Sequence, residues 1–91
     1  MSRRKVEVFF SGVVQGVGFR YFVCQQAQDL GVVGLVRNLP DGRLMVTAEG
    51  DQEQLDTFIN EIKPGPRSAV VEDVAVRWTM AEGRFTSFNM M

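Results

Sequence analysis

Val32-Val33-Gly34-Leu35-Val36-Arg37-Asn38-Leu39-Pro40-Asp41-Gly42-Arg43-Leu44-Met45-Val46-Thr47-Ala48 holds two short apolar segments, Val32 to Asn38 and Leu44 to Ala48. The turn chemistry of Pro40-Asp41-Gly42 joins them into a β-hairpin at the middle of the chain. Upstream of it, Phe19, Val23, Ala27 and Leu30 recur at helical spacing, and Gly31 follows where a left-handed cap would sit, so a helix is predicted over about Arg20 to Leu30. Downstream, Asp51 and Gln54 have capping-box spacing, and Leu55, Phe58, Ile59 and Ile62 form a stripe at i, i+3, i+4 and i+7. That second helix ends before Pro64-Gly65-Pro66.

Further outward, Val6, Val8 and Phe10 alternate with Lys5, Glu7 and Ser11, the period-two mark of a half-buried strand from about Lys5 to Val13. On the other side Ala69 and Val71, then Val74, Val76 and Trp78, form two alternating sets whose phase slips by one residue across Glu72-Asp73; a β-bulge there reconciles them. Phe85, Phe88 and Met90 suggest a short final strand. Two long crossovers around one tight hairpin predict an α+β, ferredoxin-like split βαβ sandwich, β-α-β-β-α-β plus a short C-terminal strand. Its antiparallel sheet carries both helices on one face.

Composition agrees with one compact unit. The chain has 91 residues, 45% of them hydrophobic and 23% charged, and such a length buries about 60 to 65% of its unfolded surface, enough for one core. A single domain spanning 1–91 is expected. The longest uncharged run, Val8 to Phe19, is too short and too Gly-rich to span a bilayer, and the opening residues lack an apolar signal core, so a cytoplasmic protein without a membrane partner is expected. A monomer is expected. With one cysteine and no histidine, an internal disulfide, the common zinc and haem sites and a histidine base are all unavailable. The net charge of -1 gives no footprint for nucleic acid beyond Arg3-Arg4-Lys5, which reads as a solvated N-terminus. An RNA-binding sheet would also need exposed aromatics on its central strands, and Arg43 to Ala48 contains none.

The chemistry concentrates between the first strand and the first helix, in Gly12-Val13-Val14-Gln15-Gly16-Val17-Gly18-Phe19-Arg20. Its glycines permit backbone conformations closed to other residues and close approach of a ligand to the main chain. No Ser, Thr, Asp or Asn stands at Gly18 or Phe19 to cap the helix, which leaves N–H groups without a side-chain acceptor. Arg20 lies at the positive end of the helix dipole, where a cation costs about 0.3 to 1 kcal/mol if nothing compensates. It is the only charge between Val8 and Gln28. Free N–H groups, a helix N-terminus and an unpaired guanidinium suit a phosphate-like anion. A Gly-rich connector with a solvated Arg20 remains the bland alternative.

Other motifs fail on spacing. Tyr21 stands where a dinucleotide fingerprint needs its third glycine, a P-loop lysine is absent, and Leu30 stands where a Cys-x5-Arg phosphatase starting at Cys24 needs arginine. Cys24 reads as a packing residue. Asn38, just before Leu39-Pro40-Asp41-Gly42, reads on its own as a turn residue.

Val14-Gln15-Gly16-Val17-Gly18-Phe19-Arg20, together with Gly34-Leu35-Val36-Arg37-Asn38 and Asp41-Gly42, resembles the two signature segments of the acylphosphatases. Gly50-Asp51, Gly65-Pro66 and the Ala69-x-Val71-x-x-Val74 strand look like that family too, so the likeness covers nearly the whole chain. The resemblance implies a metal-free hydrolase without cofactor that cleaves small acyl phosphates to carboxylate and inorganic phosphate. It places the phosphate-binding arginine on Arg20, the phosphate-cradling backbone on Gln15, Gly16, Val17, Gly18 and Phe19, and the water-orienting asparagine on Asn38. Leu35 departs from the tryptophan common there, and Met90-Met91 from the usual ending; both are read as packing differences. The competing reading is a module that holds acyl or carbamoyl phosphate without hydrolysing it.

Overall fold

The computed structural model describes residues 3–91. In chain order the elements are β1 (Arg3–Val13), α1 (Phe19–Leu30), β2 (Val33–Asn38), β3 (Leu44–Asp51), α2 (Gln52–Ile62), β4 (Val70–Met80) and β5 (Phe88–Met90). The strands form one sheet in the order β4-β1-β3-β2-β5. The predicted ferredoxin-like arrangement is therefore the observed one.

The periodicities work as read. Val6, Val8 and Phe10 of β1 lie in register with Ala48, Val46 and Leu44 of β3, so all six point to one side of the sheet and are fully buried. The stripes Phe19-Val23-Ala27 of α1 and Leu55-Phe58-Ile59-Ile62 of α2 are buried in the same core. Each large side chain removed from water contributes about 1.5 to 3 kcal/mol. Phe10 packs on Phe19 with ring centroids 4.8 Å apart, and Phe58 meets Phe88 edge-on at 5.8 Å. Gln54 Oε1 accepts the Asp51 N–H at 3.0 Å, the expected cap at the start of α2. Cys24 is buried in α1, and burial pushes its thiol pKa up.

Four readings are sharpened or corrected. The bulge is real: Ser11 pairs Asp73 while Gly12 pairs Val71, so Glu72 is the extra residue. β3 runs three residues beyond Ala48, because Glu49, Gly50 and Asp51 stay paired with Lys5, Arg4 and Arg3 despite their poor strand propensity. Arg3-Arg4-Lys5 is no loose end. All three lie within β1, with Arg4 stacked over Trp78 at 5.0 Å and Lys5 paired with Glu82 at 3.0 Å.

The sheet, finally, is mixed and not wholly antiparallel, because β5 runs parallel to β2. β4 ends at the edge of the sheet opposite the Gly-rich loop, so the chain must cross back before adding its last strand. The buried Glu49 carboxylate holds that crossing, accepting the N–H groups of Glu82 at 2.9 Å and Gly83 at 3.1 Å. The Gly34 N–H to Ser87 oxygen bond, 3.0 Å, then docks the chain beside β2. β5 thus ends at the same side as the ends of β1 and β2 and the start of α1. Among the described residues no helix is long and apolar enough to cross a membrane.

Candidate active site

The C-terminal ends of β1, β2 and β5 and the first turn of α1 enclose a cleft of about 180 Å³, lined by Val14, Gly16, Gly18, Phe19, Arg20, Tyr21, Asn38 and Met90. Among the described residues no Asp or Glu side chain lines it. Gly16 and Gly18 have φ of 73° and 77°, and a Cβ on either would meet nothing within 4 Å. Glycine is required there by the left-handed backbone and not by crowding. Gly18 caps α1 without any side-chain hydrogen bond.

The loop leaves its donors free. Among the described residues the backbone N–H groups of Gly16, Val17, Gly18, Phe19 and Arg20 reach no protein acceptor; the first amide of the turn to bond is that of Phe22, to the Gly18 oxygen at 3.1 Å. These groups also carry the positive end of the α1 dipole.

The sequence predicts an unpaired Arg20, but the structure gives it one main-chain partner. Its Nη1 donates to the main-chain oxygen of Met91 at 2.6 Å, a contact that β5 makes possible. No Asp or Glu side chain pairs with it among the described residues. The guanidinium is thus held at Nη1 without an acidic side-chain partner, and among the described residues its other N–H groups reach no protein acceptor.

Asn38 closes the cleft from the end of β2. Its Oδ1 is buried and accepts no hydrogen bond from the described residues. A buried acceptor without a partner costs roughly 1 to 3 kcal/mol. Such an atom is therefore an exception that asks for a function. The bland turn-residue reading fails to explain it, since the turn is held by other groups: Leu39 and Arg43 bond to each other, and Asp41 accepts from Arg43. Those bonds from Arg43 hold the Asp41 carboxyl below the usual carboxylate range.

Two of the residues read from sequence do not line the cleft. Gln15 turns its side chain toward the hairpin, donating to the oxygens of Leu39 at 2.8 Å and Arg43 at 3.0 Å, while Val17 packs against the core. Phe19 lines the cleft, yet its ring belongs to the core, 1% exposed. Val14, Tyr21 and Met90 line it without having been singled out. Tyr21 could have been found as the exposed neighbour of Arg20 on the first helical turn. Met90 could not, because its place depends on the parallel docking of β5.

Fold and site together define a small α+β sandwich whose Gly-rich strand-to-helix loop leaves its N–H groups free among the described residues. The acylphosphatase family model matches residues 6–90, and the chain belongs to that family. It is 49% identical over 85 residues to an acylphosphatase of Archaeoglobus fulgidus, covering 93% of this chain and 94% of the relative. It is 48% identical over 83 residues to one from Thermotoga petrophila, covering 91% and 90%. Among solved structures, the acylphosphatase of Bacillus subtilis superposes with a TM-score of 0.92 at 33% identity, covering 97% of this chain and 98% of that one.

Proposed function

We propose that this protein hydrolyses acyl phosphates by in-line attack of water at phosphorus, without a metal ion. The observation that carries the reading is that Asn38, whose Oδ1 has no protein partner among the described residues, lines the same cleft as Arg20 and the loop residues Gly16, Gly18 and Phe19. Family membership supports it.

The roles follow from what each group can do. The amides from Gly16 to Arg20 and the Arg20 guanidinium hold the phosphoryl oxygens, where charge is spread in a loose transition state. Gln15 and Val17 act through the loop conformation. Asn38 Oδ1 accepts one hydrogen of a water molecule and sets its oxygen in line with the bond to be broken. A new P–O bond forms from water, the bond between phosphorus and the acyl oxygen breaks, and its electron pair leaves on the carboxylate. The water proton passes to a phosphate oxygen.

No general acid is needed for the leaving group, because a carboxylic acid has a pKa of about 4 and the carboxylate departs unprotonated at neutral pH. That is why a cleft whose lining side chains include no carboxylate, thiol or imidazole is adequate for this bond and poor for an alkyl phosphate.

Phosphate release from benzoyl phosphate in excess EDTA tests the proposal. Turnover is expected to persist, and Arg20→Gln is expected to abolish both phosphate binding and turnover. Binding of the substrate without release of phosphate would establish the non-catalytic module instead, and loss of activity on chelation would overturn the metal-free reading.

A further inference from the structure

β4 forms one edge of the sheet, and none of its 11 residues is fully buried. The opposite edge is blunted by brevity, since β5 has 3 residues. β4 is long and its apolar side chains are open: Val70, Val76 and Met80 are 55%, 39% and 86% exposed. Between it and α2 lies a hollow of about 500 Å³ lined by Asp56, Ile59, Asn60, Lys63, Val76 and Trp78. Such an edge is a template for another strand. We propose that β4 pairs antiparallel with β4 of a second copy about a twofold axis at Ala75, joining the two sheets into one. This departs from the monomer expected from the sequence.

The charge pattern of the strand itself selects the occupant. Val74, Val76 and Trp78 stand opposite Phe10, Val8 and Val6, on the side that the helices cover, while Asp73, Ala75 and Arg77 stand opposite Ser11, Phe9 and Glu7 on the other side. A twofold axis perpendicular to the sheet preserves these sides, so it must pass through a residue and not between two. At Ala75 it sets Asp73 against Arg77 of the second copy and Val74 against Val76, each pair occurring twice. An axis at Val74 or Val76 sets no opposite charges together, and one at Asp73 or Arg77 sets a charge against itself. Opposite charges across a ladder are favourable and like charges are not, so one register stands out.

Both charges are available. Asp73 is in no ion pair among the described residues. Arg77 Nε donates to Glu7 Oε1 at 2.8 Å, yet its side chain stays 70% exposed. Glu7 thus steadies the guanidinium and leaves N–H groups for a second carboxylate.

The bulge limits the assembly. Glu72 is the extra residue, so the regular ladder runs only from Asp73 to Arg77 in each copy. A twofold pairing consumes both β4 edges and closes at two copies. No residue of β4 lines the cleft, which stays open in the pair.

Sedimentation equilibrium from about 10 µM to about 1 mM chain at low salt tests the proposal. So short a ladder is expected to give a dissociation constant on the order of 100 µM. Asp73→Arg and Arg77→Asp each set like charges together at both ends of the ladder, and each should raise that constant about tenfold or more. Mixed in equal amounts, the two variants set arginine against aspartate at both ends and are expected to associate one to one. Arg77→Asp also brings a carboxylate beside Glu7; should it not fold, amide exchange in the unaltered protein decides. Protection between Asp73 and Arg77 is expected to rise with concentration while protection in β3 stays constant. A chain that stays monomeric at every concentration would overturn the proposal and leave the edge to a strand of another protein. Dimers that neither variant weakens, folded variants that do not associate when mixed, or exchange that ignores concentration would overturn it equally.

Discussion

The Gln15 amide nitrogen donates to the Leu39 oxygen at 2.8 Å, and the same nitrogen reaches the Arg43 oxygen at 3.0 Å. One side chain thus ties the loop carrying the free amides to the hairpin that follows Asn38. The loop with the free amides and the proposed water-holding group are tied together in this way, although Gln15 and Asn38 stand 23 positions apart in the chain.

That link separates stability from activity. The Leu39 oxygen also accepts from Gly42, and the Arg43 oxygen also accepts from Leu39, so truncating Gln15 orphans neither. Gln15→Ala is expected to cost only about 1 kcal/mol in denaturant unfolding. It should nevertheless lower kcat/KM by about a hundredfold, equivalent to about 2.7 kcal/mol, since a small misplacement of Asn38 against the phosphoryl group is amplified in rate. Equal losses in the two measurements would contradict the proposed coupling.

Asn38 carries the opposite signature. Its Oδ1 is buried without a partner, so the fold bears a cost that the proposed reaction would use. Asn38→Ala is expected to leave the unfolding free energy unchanged or slightly raised, to keep the inhibition constant for phosphate, and to lower kcat by a hundredfold or more. Wild-type kcat in this variant would remove Asn38 from the mechanism.

What was legible in the sequence divides along a physical line. Both helices and the hairpin could be read because their residues alternate between core and solvent within a few positions, and the Glu72 bulge because it breaks that alternation locally. Arg20 stood out as the only charge between Val8 and Gln28. The association of Asn38 with Arg20 came from family likeness, since a residue before a turn has a local explanation. Glu49 lay beyond reach: on a strand it alternates outward, and only the crossing segment bonded to it through Glu82 and Gly83 makes it fully buried. Its burial, the parallel β5 and the placement of Met90 all arise from one non-local path across the sheet.

Glu49 is accordingly the place to test that path. Glu49→Ala removes the acceptor of two N–H groups inside the structure, with an expected cost of about 2 to 3 kcal/mol, and Glu49→Gln, which keeps one acceptor oxygen, should lie between. The loss should be local first. Amide exchange at Glu82, Gly83 and Met91 is expected to speed up more than exchange in β1 and β3, because the crossing segment and β5 hang on this carboxylate. The Arg20 to Met91 bond would weaken with them, so kcat/KM should fall at temperatures where the core remains folded. Uniform acceleration of exchange across the sheet would show that Glu49 supports the whole fold and no particular segment.

The last prediction concerns pH. Glu82 is held below its ordinary value of 4.5, first by the hydrogen bond from Lys5 and then by its charge. Asp41 is held below 3.8, first by the backbone N–H of Arg43 and then by its side chain. A carboxyl whose folded pKa is depressed stabilises the fold above its unfolded value, and that contribution disappears as pH falls through the lower folded value. Stability is therefore expected to be level from neutrality down to about pH 4.5 and to decline below it. The decline from these two groups should be modest and reduced by salt, because both are exposed. The chain has no histidine, so nothing in the proposed mechanism titrates near neutrality, and kcat should follow only the ionisation of the substrate between roughly pH 5.5 and 8. Unfolding curves and pH profiles recorded on the same samples check both halves. A protein-borne step in kcat near pH 6.5 would require a titrating group that the Asn38 mechanism does not contain.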